Sequence, residues 1–173
     1  MAVTTLDPRT ALVVIDLQNG IVGNPGLAPY SAAEVVERTG LLADAFHEHG
    51  LPVVLVRVTA AADGADAVPG RTDGPNRAHT WPEGWDVLVD ELAGHPGDIV
   101  VTKRNWGAFH GTDLDLQLRR RGVTQIVLTG IATSGVVLSD GCLDADPEVH
   151  RVLTQKVFPR QADVRLIADW NPE

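Results

Sequence analysis

Asp16 ends an apolar run at residues 11–15, and Lys103 lies just beyond a strand-like segment at residues 98–101. A carboxylate and an ammonium held at the ends of buried segments can do acid–base chemistry. The ammonium favours the ionised acid, burial opposes it, and together they set the acid's proton affinity. Gly130 opens a third candidate, the tight turn through Gly135 that follows the strand-like segment at residues 125–129. Taken singly, each also has a plain structural role. Asp16 can cap a strand end by bonding loop amides, Lys103 alone suits a solvated surface, and Gly130 with Ser134 suffices for an ordinary turn into a helix. Cys142 is the single cysteine, so the chain has no intrachain disulfide framework.

These groups are far apart in the chain, and the fold must gather them. Residues 11–15, rich in Val and Ile, read as a strand buried on both faces of a parallel sheet. Ser31 is the expected N-cap of a helix through Phe46, with Val35, Val36, Leu41, Leu42 and Ala45 apolar and a stop at Gly50. Residues 52–58 form the second strand. Residues 60–76 are rich in Ala, Asp, Gly and Pro without an apolar period, which predicts a surface loop of the kind that often serves as a lid. Residues 85–92 look helical, and residues 98–101 read as a third strand of the buried type. Another helix is expected over residues 112–121, capped by Thr112, with Asp113 and Asp115 at its positive end, Leu114 and Leu118 on one face, and Gly122 closing it. Residues 125–129 form the fourth strand. A last helix over residues 146–158 opens on an acidic turn with Pro147 at its first position, and residues 162–168 add the last strand.

Strands alternating with helices predict one α/β domain over residues 1–173, a doubly wound, mostly parallel sheet with helices on both faces and right-handed crossovers. Such sheets bind ligands beyond the carboxyl ends of their strands, where Asp16, Lys103 and the turn at residues 130–135 all fall.

A length of 173 residues suits a single domain with a sizeable core. Hydrophobic residues at 44% and charged residues at 21% match an ordinary soluble protein rather than a disordered chain. The net charge of −9 argues against nucleic acid and anionic membranes as partners. The one dense basic run, Arg119, Arg120 and Arg121, sits where cations complement exposed helix carbonyls. No apolar run approaches the roughly 20 residues that cross a bilayer, and the N-terminus lacks a secretory leader pattern, so a cytoplasmic location is expected.

ValValIleAspLeuGln at residues 13–18, ValThrLysArg at 101–104, AlaPheHisGlyThrAspLeuAsp at 108–115 and LeuThrGlyIleAlaThrSer at 128–134 stand in an order that resembles the isochorismatase-like, or cysteine hydrolase, family over residues 8–139. The resemblance implies a doubly wound parallel sheet and a small-molecule hydrolase. It makes Asp16 the proton-transfer group and Lys103 the residue that orients and charge-tunes the pocket. It also implies a cis peptide without proline between Ile131 and Ala132, with the amides of Ala132 and Val136 as an oxyanion hole for charge developing in acyl transfer. Thr133 is expected at the substrate. Trp106 and Phe109 are expected as an apolar pocket wall, although isolated aromatics more often pack in a core, and His110 suits a substrate contact or the surface equally. Relatives usually self-associate, which implies a homodimer or homotetramer.

The chain departs from the family in three places. Val136 occupies the position of the family nucleophile, and valine has no lone pair with which to form an acyl intermediate. Cys142, six residues on, reads as structural rather than as a substitute. Nicotinamidase relatives bind a metal through an aspartate and paired histidines, whereas the corresponding stretch here offers Asp63, Asp66, Asp73 and His79; no metal or other cofactor is therefore expected. Between Ser139 and Asp140, finally, a whole crossover and central strand that relatives carry is missing. An omitted segment is favoured over a true deletion, because losing a central strand exposes apolar edges. Two functions are compatible with this pattern. The first is hydrolysis by the Asp16/Lys103 pair without a cysteine, as in isochorismatases that protonate a vinyl ether and let water complete the cleavage. The second is a catalytically silent small-molecule-binding or scaffold homologue.

Overall fold

The computed structural model describes residues 7–66, 81–131, 142–143 and 146–158. β1 (Thr10–Ile15) is buried at every position, as an uninterrupted Val/Ile/Leu run demands, and forms the centre of the sheet. It pairs in parallel with β2 (Val53–Val58) on one side and β4 (Gln125–Ile131) on the other. β3 (Ile99–Lys103) adds outside β2, and the two-residue β5 (Cys142–Leu143) outside β4, giving the order β3-β2-β1-β4-β5. Strand addition runs outward from β1 to β3 and then reverses to β4. With right-handed crossovers, the connections made in opposite directions cover opposite faces. The point of reversal lies between β1 and β4, where doubly wound sheets open a crevice at their carboxyl edge.

A short helix, α1 (Asn19–Val22), follows β1, and α2 (Ala32–Glu48) then crosses to β2. Ser31 caps α2 through a reciprocal box: its Oγ accepts from the Glu34 amide at 3.2 Å, and its own amide donates to Glu34 Oε2 at 2.9 Å. Val35, Val36, Leu42 and Phe46 pack inward, and the chain leaves the helix through Gly50 at φ 65°. Leu41, expected on the apolar face, is instead 66% exposed, because its turn position points away from the sheet. Ser31→Ala is expected to cost about 1 kcal/mol, as loss of an N-cap does. A thermal melt should register this as a Tm lower by about 2–4 °C.

β3 corrects the expectation of a fully buried third strand. It is an edge strand with alternating burial, and Val100 is exposed. Residues 85–92 are not helical but a series of turns, in which Leu88 makes an antiparallel bridge to Gln18. The amides of Asn19 and Gly20 donate to the carbonyls of Val87 and Trp85, and the Val89 amide donates to the Leu17 carbonyl. Backbone pairing with the exit of β1 thus takes the place of intrahelical bonds. α3 (Leu114–Arg120) buries Leu114 and Leu118 as expected and ends at Gly122, φ 67°. Thr112 Oγ1 accepts from the Leu114 amide at 3.2 Å. α4 (Pro147–Val152) is capped by the Asp146 carboxylate and continues into a wider π-type turn at Leu153–Val157. The strand expected over residues 162–168 and most of the loop over residues 60–76 lie outside the described residues. Among the described residues no helix is long and apolar enough to cross a membrane.

Candidate functional site

β1 delivers Asp16 to the carboxyl edge of the sheet, and its conformation there is unusual: φ is 55°, the one positive value among the described non-glycine residues. Aspartate tolerates this left-handed region better than most side chains, and residues held in it concentrate at functional sites. The turn is held by the Asp16 amide donating to Val56 O at 2.8 Å and the Gln18 amide donating to Asp16 O at 2.9 Å. Lys103, the last residue of β3, reaches across β2 to the same point. Its Nζ lies 2.7 Å from Asp16 Oδ2 and donates to the Trp106 carbonyl at 3.1 Å. The pair expected from the sequence is therefore assembled, and both side chains are buried, at 5% exposure for Lys103 and 9% for Asp16.

Burial and the ion pair act on Asp16 in opposite directions. Loss of hydration raises its pKa, while the Lys103 charge and hydrogen bond lower it, and burial prevails, leaving the carboxyl above the ordinary aspartate range. Asp16 Oδ1 is buried without a hydrogen-bond partner among the described residues. A buried, unpartnered acceptor carries a desolvation cost, so this atom suits contact with a donor outside the described residues.

Gly130 brings β4 against this corner. It stands opposite Ile15 in the parallel register, with φ 122°, and a Cβ at this position would lie 2.0 Å from the Ile15 carbonyl oxygen. Only glycine allows the approach, which sets the end of β4 against the residue that precedes Asp16. Ala132, Thr133 and Val136, together with the Ile131–Ala132 peptide, lie outside the described residues. Cys142 is fully buried in β5 opposite Gly130.

The aromatic residues after Lys103 correct one expectation. Trp106 is 84% exposed and Phe109 50%, so neither packs in the core of the chain. Trp106 serves the site through its backbone carbonyl. His110 is exposed as well, and its carbonyl accepts from Asn105 Nδ2 at 2.7 Å. Of the loop carboxylates, Asp63 accepts the Ala65 amide and Asp66 pairs with Arg104 at 3.1 Å. Asp73 and His79 lie outside the described residues.

Gln18 is a residue to which the sequence reading gave no role. It is fully buried; its Nε2 donates to Val58 O at 3.0 Å and Trp85 O at 3.2 Å, and its Oε1 accepts from the Val58 amide at 2.8 Å. One amide thus ties the exit of β1 to the end of β2 and to the segment carrying Trp85. The available signal was a polar side chain placed two residues after Asp16 beside the buried Leu17. Thr59 and Arg57 extend the same edge: Thr59 Oγ1 donates to Asp86 Oδ2 at 2.7 Å, and Arg57 lies 3.6 Å from that carboxylate.

An isochorismatase domain matches residues 10–145. The chain is 43% identical to the isochorismatase family protein YecD of Escherichia coli O157:H7 over 92% of its length and 93% of that protein's. That alignment spans 176 positions, more than the 173 residues present here, so YecD carries residues with no counterpart in this chain. The solved structure of an isochorismatase family protein from Burkholderia thailandensis is 40% identical, covers 96% of each chain and superposes with a TM-score of 0.86. A ureidoacrylate amidohydrolase, RutB of Stutzerimonas stutzeri, is 32% identical over 81% of this chain and 72% of its own.

Proposed function

The chain belongs to the isochorismatase family and is a hydrolase of that family, and from that premise we propose that Asp16 and Lys103 catalyse hydrolysis of a small polar substrate without a cysteine nucleophile. The observation that carries the proposal is Asp16 itself: buried, raised in pKa, paired through one oxygen and, among the described residues, unpartnered at the other. An acid with a raised pKa keeps a protonated fraction at higher pH, which a general acid requires.

A vinyl ether of the isochorismate type uses such a group directly. Asp16 gives its proton to the terminal enol carbon, and the ether oxygen shares the positive charge that forms on the adjacent carbon. Water adds to that carbon and returns a proton to the Asp16 carboxylate. Collapse of the resulting hemiketal releases an alcohol and a carbonyl product, so every atom is accounted for and no covalent enzyme intermediate forms. Lys103 stabilises the carboxylate between proton donation and proton return. Amide hydrolysis of the RutB kind is the less suited chemistry, because Val136 offers no nucleophile.

Turnover of isochorismate, measured against a panel that includes ureido and carbamoyl amides, tests this assignment. Hydrolysis of the vinyl ether is the expected result, and an absence of turnover across the whole panel would defeat it. Val136 also favours a second reading, a silent binding or scaffold homologue. Val136→Cys separates the two: amidase activity gained by this variant shows intact machinery around the position, whereas silence in both wild type and variant supports the scaffold.

A further inference from the structure

At the opposite end of the sheet from Asp16, where β2 and β3 begin, three metal-ligating side chains converge. His47 lies in the last turn of α2, His95 in the loop before β3, and Asp98 one residue before the strand. Asp98 Oδ1 is 2.7 Å from His47 Nε2 and 3.5 Å from His95 Nδ1, and its side chain is 5% exposed. The two imidazoles stack with centroids 3.6 Å apart and planes at 12°. One ligand atom from each of the three residues lies within 4.8 Å of the others. A tetrahedral zinc ion with bonds of about 2.0–2.1 Å needs donor separations of roughly 3.3–3.4 Å, so admitting one requires the 2.7 Å His47–Asp98 contact to open and one of the stacked imidazoles to turn.

The surroundings of this cluster favour positive charge. The Gly97 amide donates to His95 Nδ1 at 3.2 Å. The same nitrogen lies 3.5 Å from Asp98 Oδ1, close to the separation of two ligands on one ion. The carboxyl end of α2 adds partial negative charge to the same spot. Two imidazoles and one carboxylate form a donor set suited to zinc and its first-row neighbours.

We propose that His47, His95 and Asp98 bind a divalent transition-metal ion, with water completing the coordination through the exposed side of His95. This departs from the expectation that the chain binds no metal, which is argued from the stretch between Arg57 and Trp81 alone. β3 separates the cluster from Lys103 by five residues, about 16 Å of strand. The ion therefore clips α2 to the start of β3 and takes no part in chemistry at Asp16.

Titration of tag-free, chelator-treated protein with zinc sulfate, followed by calorimetry and thermal melting, tests the site. Wild type is expected to bind one equivalent and to melt several degrees higher with zinc. His95→Ala, a change at a half-exposed position that leaves the core untouched, and Asp98→Asn should each weaken binding by more than the roughly 10- to 100-fold typical of losing an outer-shell partner. His49→Ala, altering an exposed neighbour outside the cluster, should bind as wild type does. Cobalt substituted for zinc should give the intense visible bands of a tetrahedral nitrogen–oxygen site in wild type and lose them in His95→Ala. No zinc binding by wild type, or undiminished binding by His95→Ala, would overturn the proposal.

Discussion

Asp16→Asn is expected to lower kcat by about 10²- to 10⁴-fold on whichever panel substrate the wild-type protein hydrolyses, the range that a positioned acid–base group contributes. The substitution preserves shape and leaves an amide oxygen to accept from Lys103, so KM should change far less than kcat. An effect confined to kcat marks an interaction made in the transition state. The pH profile adds a second readout. Burial has already lifted the Asp16 carboxyl above the ordinary aspartate range. A general acid works in its protonated form, so wild-type kcat should fall as pH rises through that lifted value. The residual activity of Asp16→Asn should lack this limb. Activity within a few-fold of wild type, or a limb that survives the substitution, would remove Asp16 from the chemistry.

The Asp16/Lys103 pair was legible in the sequence because both residues follow short strand-like segments, and strand ends converge at one edge of a parallel sheet. Their contact at 2.7 Å needed the topology, since β2 stands between the two strands. The balance between burial and charge at Asp16 is a property of the folded environment and has no signature in residue order.

Residues 85–92 show how periodicity misleads. Trp85, Leu88, Val89 and Leu92 repeat at helical spacing and are all buried. The same spacing serves a chain of turns because residues 17–20 leave β1 with backbone groups that need partners, and Val87, Trp85 and Val89 supply them. Gln18, which reinforces that pairing, was invisible for the same reason: its three bonds go to backbone atoms, two of them in Val58, 40 residues away. The Ile and Val residues of β3 predict burial, yet its position at the edge leaves Val100 in solvent. His47, His95 and Asp98 meet only because α2 returns the chain to the start of β2, next to the start of β3.

Lys103→Met should cost about 3–5 kcal/mol of stability at neutral pH, the usual consequence of removing one partner from a buried ion pair. The pH dependence of that loss follows from the sign of the Asp16 shift. Because the folded pKa is raised, the native state holds the proton more tightly than the unfolded chain does. Stability from this group is therefore complete below the ordinary aspartate pKa and is lost as pH rises through the folded value. Lys103 is the group that restrains the rise, so its removal pushes the folded value higher and extends the window of loss toward neutrality. The Tm gap between wild type and Lys103→Met should accordingly be small near pH 4 and widen as pH increases. Replacing both partners, as Asp16→Leu with Lys103→Met, removes both buried charges together, and such replacements are often neutral or stabilising. The double variant should melt closer to wild type than Lys103→Met does, with a pH dependence no steeper than that of wild type and no hydrolysis. A Tm gap that stays constant with pH, or a double variant whose losses simply add, would show that the two charges are not energetically coupled in the folded chain.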